Sequence, residues 1–327
     1  MKYRLLGKTG FKVSEISFGA WAIGGNWGNV AESDAIAAIN KAIDLGVNFI
    51  DTADVYGDGR SEKIIAKVLK GRKERVFVAT KTGRRLSPHI ASGYTKQNLN
   101  KFVERSRKNL KMDTLDLLQL HCPPTEVFYN PEVFEALDEM IIKKKIKNYG
   151  VSVEKVEEGI KALQYSGVAT VQIIYNIFRQ RPAEIFFDMA KEKNVGIIVR
   201  VPLASGLLTG KMNKNTVFDK TDHRLFNRHG EAFDVGETFA GVPFEKGLQA
   251  VNDLAKIIPA KYSMSQFALK WILMQDAVST IIPGGKNPVQ VESNVLASDL
   301  PNLSKESLKM IDEIYKSKIK ALVHERW

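Results

Sequence analysis

Three short apolar stretches of this chain each lead into a reactive side chain. These side chains are Asp51, Lys81 and His121, and the stretches before them are residues 47–50, 76–80 and 115–120. Each stretch has the pattern of a short buried strand, and amphipathic helix patterns lie between them. The carboxyl ends of parallel strands in an α/β barrel meet on one rim. The sequence therefore predicts that a carboxylate, an ammonium and an imidazole converge at one end of a barrel.

The alternation of strand and helix continues along the chain. Further strands are predicted at residues 16–19, 146–151, 170–173, 196–201 and 279–282. This pattern predicts the α/β fold class and a (β/α)8 TIM barrel. Such barrels occupy roughly 200 to 400 residues as one domain, so we expect residues 1–327 to form a single domain. A Gly-rich turn between residues 3–6 and 12–13 predicts an N-terminal β-hairpin, and extra helices are predicted beyond Pro288 and Ser304.

Helix boundaries and one long loop complete the predicted architecture. Ser61 and Thr95 are predicted to cap helices that run to about Lys70 and Leu110, because a hydroxyl can accept a free amide N–H at a helix start. Pro131 suits the first turn of another helix. Residues 204–242 are rich in glycine and charge and have little helical period. A loop of that length is usually functional, and we predict that it is a lid.

Composition narrows the function classes. The chain has a net charge of +11 and 44% hydrophobic residues, no apolar run near the roughly 20 residues that span a bilayer, and no signal-peptide pattern at its start. We therefore expect a soluble cytoplasmic protein with no membrane partner. Its Lys and Arg residues are spread over helix faces, which favours a basic rim for an anionic cofactor over nucleic acid. Cys122 is interpreted as a packing residue, with a redox-sensitive thiol as the alternative.

Several motifs together resemble the aldo-keto reductase family. They are Asp51-Thr52-Ala53, Tyr56-Gly57, Gly59-Arg60-Ser61-Glu62, Lys81 and Leu120-His121. The resemblance extends from Met1 to the segment 282–285 and to Asn294, which is nearly the whole chain. Each residue alone has an ordinary structural explanation, such as a turn cap or a packed ring. In this order, and at strand ends, they favour a catalytic site. The resemblance also implies that the hairpin closes the bottom of the barrel.

The resemblance implies hydride transfer to a carbonyl, assisted by a proton. It assigns Tyr56 as general acid/base, Lys81 and Asp51 as its electrostatic support, and His121 as the donor that orients the carbonyl. A free tyrosine has a pKa of about 10 and is a weak acid near neutrality. A neighbouring ammonium stabilises the phenolate, so we expect Lys81 to lower the pKa of Tyr56. No metal site is predicted.

The same resemblance implies a nicotinamide cofactor, although no Rossmann fingerprint is present. Leu203, Ser205, Gly206 and Lys211 are expected at its diphosphate. Ser152 and Gln172 are expected at the nicotinamide carboxamide. The remaining expected cofactor contacts lie on the active rim and at the adenosine end: Ala20 and Trp21 in the rim loop 20–29, Asp51, Arg200, Gly284, Lys286, Gln290 and Asn294.

Three positions depart from the family pattern. Val153 stands where many members carry asparagine or arginine, and Arg200 stands where an aromatic ring often stacks on nicotinamide. Gln290 replaces an arginine that many members use for the 2′-phosphate, so the preference for NADP is inferred from Lys286 and Lys211, and NAD stays open as a cofactor.

The predicted function is reduction of an aldehyde or ketone with NADPH. The alternatives are a cofactor-binding regulatory subunit, as in the family's potassium-channel β subunits, and a nucleic-acid-binding protein suggested by charge alone. The substrate and the oligomeric state stay open.

Overall fold

The chain opens with a hairpin that covers one end of a barrel. The computed structural model describes residues 1–25, 27–28 and 30–327, so Asn26 and Asn29 of the predicted rim loop lie outside the described residues. Strands β1 (Tyr3–Leu5) and β2 (Lys12–Ser14) pair in antiparallel fashion. The turn between them lies on the start of a barrel strand: a Cβ built on Gly7 would lie 2.2 Å from the Gly196 backbone nitrogen. The hairpin therefore closes the amino-terminal end of the barrel.

Parallel strands form the barrel itself. In the described part of the chain, eight strands pair in chain order: β3 (Phe18–Gly19), β4 (Phe49–Asp51), β5 (Phe77–Thr82), β6 (Leu115–His121), β7 (Ile146–Ser152), β8 (Val168–Ile174), β9 (Gly196–Arg200) and β10 (Val278–Ile281). Bridges from Ile16 to Ile281 and from Gly19 to Gly284 join the last strand to the first. The sheet is closed, and the predicted (β/α)8 fold class is confirmed.

Helices surround the barrel and extend beyond its last strand. Their bounds are α1 (Trp21–Gly24), α2 (Glu32–Asp44), α3 (Arg60–Leu69), α4 (Lys96–Leu110), α5 (Pro131–Ile142), α6 (Val156–Ala162), α7 (Phe186–Glu192), α8 (His223–Phe226), α9 (Phe244–Ile257), α10 (Met264–Leu273), α11 (Pro288–Val295), α12 (Lys305–Ile314) and α13 (Lys320–Val323). No described helix is both long enough and apolar enough to cross a membrane.

Two predicted helix starts are confirmed and one is wrong. The Thr95 hydroxyl accepts the Asn98 amide at 3.2 Å, and Pro131 occupies the first turn of α5. Helix α3 instead begins after Gly59, whose φ of 88° places it in the left-handed region that favours glycine. Ser61 therefore lies inside the first turn, where its hydroxyl bonds to the Thr52 hydroxyl at 2.8 Å rather than to a helix amide.

The side chains inside the barrel are apolar near the hairpin and polar further along the strands. The change occurs between one inward-facing position of a strand and the next, two residues later. An apolar cluster near the hairpin contains Phe49, Ala79, Leu117 and Ile198. Side chains on a strand point to the same face every second residue. The next inward positions on the same four strands are therefore Asp51, Lys81, Gln119 and Arg200, all of them buried. This change of polarity places a set of polar side chains at the carboxyl-terminal rim.

The long segment after β9 is more ordered than its sequence pattern suggests. It contains short helical turns at Ala204–Thr209, His223–Phe226, Val235–Glu237 and Phe239–Gly241. The buried Trp327 holds part of it: its indole N–H donates to Asp234 at 2.8 Å, and a Cβ built on Gly241 would lie 2.5 Å from its ring. Tertiary contacts therefore stabilise turns that have no periodic signal of their own. Its action as a lid stays a prediction.

Arg4 offers a test of how the hairpin is attached. Its guanidinium donates to the carbonyls of Leu273, Gln275 and Val278 at 2.6, 3.0 and 2.8 Å and to Glu15 at 3.1 Å. We expect Arg4→Met to lower the free energy of unfolding by roughly 3 kcal/mol, because it leaves the buried Glu15 carboxylate without its cation. Denaturant unfolding measures this difference.

Lys12→Met is the matched control, since Lys12 is an exposed cation on the same hairpin. It should change the unfolding free energy by less than about 0.5 kcal/mol. Equal losses in the two variants would show that the guanidinium does not fasten the hairpin to the barrel.

Candidate active site

A buried ion pair lies at the polar end of the barrel interior. The Lys81 ammonium donates to Asp51 Oδ1 and, at 2.9 Å, to the Thr52 carbonyl. Asp51 Oδ2 accepts from Gln119 at 3.0 Å and from Gln172 at 2.8 Å. A buried charge is tolerated when a partner and further hydrogen bonds replace its water. Strands β4, β5, β6 and β8 all supply groups to this pair, so the closed barrel fixes its geometry.

Tyr56 stands above this pair on the loop after β4. Its hydroxyl lies 3.5 Å from Lys81 Nζ, and its ring makes an edge contact with His121 at a centroid distance of 5.8 Å. Trp21 stacks on the ring at 6.1 Å. A Cβ built on Gly24 would lie 2.7 Å from Tyr56 Cβ, so the glycine lets the loop approach α1. The structure thus brings Asp51, Lys81, Tyr56 and His121 together.

The acidity of Tyr56 differs from the sequence-based expectation. Burial raises the pKa of its phenol well above the usual value, and the carboxylates of Asp51 and Glu237 raise it further, while Arg84 and Arg200 oppose them. Burial removes the water that would stabilise a phenolate. Burial also lowers the pKa of Lys81, although Asp51 opposes this shift. The prediction that Lys81 makes Tyr56 a stronger acid than free tyrosine is therefore wrong, because burial outweighs the cations around the phenol.

His121 is held in its neutral form. Burial lowers the pKa of the imidazole well below its usual range, and the cations Arg84, Lys81 and Arg200 add to the effect. Its Nδ1 has no hydrogen-bond partner among the described residues. A neutral imidazole has one N–H and one acceptor nitrogen. His121 can therefore donate a hydrogen bond to a carbonyl oxygen, but it is not an imidazolium acid at neutral pH.

A second ionic cluster lies beside the first. Arg84 donates to Glu237 and, at 3.2 Å, to Glu154, while Arg200 Nη1 lies 3.6 Å from Glu237. Burial raises the pKa of Glu154 to about 7, whereas Arg84 and Arg200 outweigh burial and lower that of Glu237. The Cys122 thiol, near Arg200, has its pKa raised to about 11 by burial, which supports its interpretation as a packing residue.

One elongated pocket of about 480 Å³ connects this end of the barrel to the surface. Tyr56, His121 and Asp51 line its inner part, and most of the predicted cofactor contacts line it too. These are Ala20, Trp21, Gln172, Arg200, Leu203, Ser205, Gly206, Lys211, Gly284, Lys286, Gln290 and Asn294. Ser152 is absent from the lining, and its hydroxyl instead lies 3.4 Å from the Cys122 sulfur. The structure therefore does not place Ser152 with the other predicted contacts.

The outer part of the pocket suits a phosphorylated dinucleotide. Lys211, Arg224 and Lys286 line it. Residues 204–206 have successive φ values of 47°, 52° and 97°, so the backbone turns tightly where Ser205 and Gly206 line the pocket. Beside Gly284, a Cβ would meet nothing closer than 3.9 Å, so the backbone there is open. The cations and the open backbone at Gly284 fit the phosphates of a nicotinamide cofactor, and the aromatic ring of Trp21 offers a flat surface within the same pocket.

Three residues of this site are not among those predicted from the sequence. Gln119 was detectable, because it lies two residues before His121 on the same inward face of β6. Arg224 lines the phosphate part of the pocket, and Glu237 lies in the wall near His121. Both belong to the segment after β9, where no periodic pattern indicates which side chains face inward. Only the tertiary packing of that segment identifies them.

Comparison with known proteins agrees with this geometry. The profile of the Aldo/keto reductase family matches residues 15–316. The chain belongs to this family. It is 33% identical over 303 residues to the aldo-keto reductase YhdN of Bacillus subtilis, a match that covers 90% of this chain and 87% of that protein. The family assignment makes it an aldo/keto reductase-type oxidoreductase.

Two further relatives show the range of this family. A probable voltage-gated potassium channel subunit beta of Arabidopsis thaliana is 29% identical over 98% of both chains. The holo structure of the aldo-keto reductase AKR11C1 of Bacillus halodurans superposes with a TM-score of 0.78 at 27% identity, covering 100% of this chain and 99% of that chain. Enzymes and a protein named as a channel subunit therefore share this barrel.

Asp54 gives this aldo/keto reductase a pH-dependent stability. Its carboxylate is fully buried, and neither oxygen has a hydrogen-bond partner in the described residues. Burial raises its pKa to about 7, and Glu62 adds to the shift. The folded-state pKa lies above the unfolded one, so the protonated carboxyl favours folding below about pH 4 and this contribution is lost as pH rises to about 7. Its full size is at most roughly 4 kcal/mol.

We therefore expect Asp54→Asn to be more stable relative to the natural protein at pH 8 than at pH 5. Thermal unfolding across this range measures the difference. Asp113→Asn removes an exposed carboxylate and serves as the control. If the curves of Asp54→Asn and the natural protein ran parallel from pH 5 to 8, Asp54 would not be the titrating group.

Proposed function

We propose that this protein reduces an aldehyde or ketone to an alcohol with NADPH and catalyses the reverse oxidation. The observation that carries the proposal is the position of the Tyr56 hydroxyl, 3.5 Å from Lys81 Nζ and next to a neutral His121. These groups line or adjoin the inner end of a pocket whose outer end is lined by cations. Proton donor and cofactor-binding groups thus share one cavity.

Each residue has a distinct part in this reaction. The bound nicotinamide would supply a hydride to the carbonyl carbon. The C=O π pair moves to oxygen, and the Tyr56 O–H gives its proton to the alkoxide as it forms. The neutral His121 donates a hydrogen bond that orients the carbonyl oxygen, and Lys81 with Asp51 holds a positive charge near the phenol. Gln172 would hold the carboxamide beside Asp51.

The raised pKa of Tyr56 is compatible with this part. At neutral pH its phenol is fully protonated, so a proton is always available for transfer. A phenol transfers its proton downhill to an alkoxide, which is the stronger base, even when burial has weakened the phenol as an acid. Of the other described groups at this site, neutral His121 would have to give up its last N–H proton, and the Lys81 ammonium already donates to Asp51 and to the Thr52 carbonyl. Tyr56 is therefore the group with a proton to give.

Removal of the phenol proton tests this assignment. We expect Tyr56→Phe to lower kcat for carbonyl reduction by about 10² to 10⁴, the usual range for general acid catalysis, while the Kd for NADPH changes less than about threefold. His121→Gln keeps an N–H donor and should lose less rate. Rapid kinetics and fluorescence titration measure the two quantities. If Tyr56→Phe reduced carbonyls at a near-normal rate, another group would have to be the proton donor.

Selection of NADP over NAD would depend on Lys286. Its ammonium donates to the Trp27 carbonyl, and its backbone N–H donates to the Gln290 side chain at 2.9 Å. Burial, and after it the nearby Arg224, lowers the pKa of Lys286. Two cations held close together repel each other, so an anion between them is favoured. The 2′-phosphate of NADP has the negative charge that would offset the repulsion between Lys286 and Arg224.

We expect Lys286→Ala to reduce the ratio of kcat/KM for NADPH over NADH by roughly tenfold, since one phosphate contact is worth about 1.5 to 3 kcal/mol. Lys214→Ala, which removes an exposed lysine outside the pocket, is the control. An unchanged ratio in Lys286→Ala would assign the preference to other residues.

A second function is favoured by one observation. The Arabidopsis relative is named as a probable potassium channel subunit beta, so a chain on this fold can serve a partner protein. A regulatory subunit would bind the cofactor with little turnover. A carbonyl panel with stoichiometric NADPH separates the two functions: repeated turnover supports the reductase, whereas tight NADPH binding without oxidation by any carbonyl supports the subunit.

A further inference from the structure

One guanidinium holds both ends of a short segment that contributes to the pocket lining. Arg60, in the first turn of α3, donates from Nη1 to the carbonyl of Ile23 and from Nη2 to the carbonyl of Val30 at 2.7 Å. Both acceptor residues are buried. A guanidinium carries its N–H donors in a rigid planar fork. The two bonds therefore fix the distance between the ends of residues 23–30, which form the clamped segment.

The clamped segment has little rigidity of its own. Gly25 and Gly28 have φ values of 119° and 79°, in the left-handed region that favours glycine. Glycine has more conformational freedom than any other residue, so these positions do not by themselves hold the backbone in one arrangement. Restraints from outside the segment are needed, and Arg60 supplies one at each end.

Trp27, within this segment, contacts two cations at the phosphate end of the pocket. Its carbonyl accepts from the Lys286 ammonium, and its indole ring packs against Arg224, whose guanidinium carbon lies 4.9 Å from the ring centroid. All three residues line the pocket. Lys286 comes from the loop after β10 and Arg224 from α8. Trp27 thus joins cations that two distant parts of the chain supply.

The contacts of Trp27 are compatible with a bound phosphate. An ammonium has three N–H donors, so Lys286 can keep its bond to the carbonyl and still donate to a phosphate oxygen. Ordering a flexible side chain opposes binding, and a side chain that is held beforehand opposes it less. Arg224 is also held by Asp222, at 2.9 and 2.5 Å. Lys286 is therefore the cation that depends more on Trp27.

We infer, on the basis of the proposed NADPH-dependent reaction, that Arg60 is a positioning residue for the 2′-phosphate of NADP. Arg60 is not among the described residues that line the pocket, so it acts through the clamped segment: it holds the segment, and Trp27 holds Lys286. NADH has no 2′-phosphate. Loss of Arg60 should therefore weaken the binding of NADPH more than that of NADH.

Equilibrium binding of the two cofactors to the intact protein tests this inference without any turnover. Arg60→Met keeps the aliphatic part of the side chain and removes both donors. We expect it to raise the Kd for NADPH roughly fivefold, the effect of one side chain that must be ordered on binding, and the Kd for NADH less than about twofold. Arg60→Lys restores a cation without the planar fork and should lie between the two proteins. Fluorescence titration measures each Kd.

Arg72→Met is the matched control. Arg72 lies just beyond the other end of α3, and its guanidinium also binds several acceptors, the side chains of Asn40, Asp44 and Glu74. It is absent from the described lining of the pocket, so both Kd values should stay within about twofold of the natural ones. Thermal unfolding establishes that each variant folds, and if Arg60→Met does not, Arg60→Lys takes its place.

A second background separates positioning from general support of the fold. In Lys286→Ala the side chain that Trp27 holds is gone, so Arg60→Met should there change the ratio of the two Kd values by less than about twofold. If Arg60 acted only by stabilising the barrel, its substitution would have the same effect on this ratio in both backgrounds.

The outcomes separate this inference from the proposed function. Equal weakening of NADPH and NADH by Arg60→Met, an equal change in Arg72→Met, or a full effect in the Lys286→Ala background overturns the positioning role of Arg60. Absence of carbonyl turnover overturns the reductase function, but this role stands if the ratio of Kd values changes as expected. Failure of the natural protein to bind NADPH overturns both. Selective loss of NADPH binding in Arg60→Met that disappears in the Lys286→Ala background supports the inference.

Discussion

The ion pair between Lys81 and Asp51 is the constraint on which the rest of this site depends. Both groups are almost fully buried, and removal of one partner of such a pair typically costs about 3 to 5 kcal/mol because a charge remains without water. The pair forms only if β4 and β5 lie side by side and β6 and β8 direct two amides at the same carboxylate. The geometry of the site therefore depends on closure of the barrel, and the loop that carries Tyr56 lies above the ion pair.

The strand-borne part of this arrangement could be predicted from the sequence. Side chains two residues apart on a strand share a face, so the positions of Asp51, Lys81 and His121 after apolar stretches imply a common rim. The position of Glu237 could not be predicted in this way. Glu237 lies on the segment after β9, whose short turns depend on the packing of Trp327 and on the hydrogen bond from the Ser205 hydroxyl to the Glu237 carbonyl at 3.0 Å.

Two of the sequence-based errors, at Ser61 and Tyr56, have one physical origin. Ser61 was assigned as a cap from its type and place in the sequence, but its hydroxyl lies inside the first helical turn and faces Thr52. The sequence predicts that a neighbouring Lys81 ammonium acidifies Tyr56, but burial and the carboxylates of Asp51 and Glu237 raise the pKa of its phenol. Residue types indicate which groups can interact. Desolvation and the exact start of a helix depend on how the elements pack.

The two ionic clusters act on the reacting groups together. Burial lowers the pKa of His121, and Arg84, Lys81 and Arg200 add to the effect, so the imidazole is neutral and its N–H can donate a hydrogen bond. Burial raises the pKa of the Tyr56 phenol, Asp51 and Glu237 raise it further, and Arg84 and Arg200 oppose the rise. Burial therefore favours the protonated Tyr56 and the neutral His121, and the charges of the two ionic clusters adjust both pKa values.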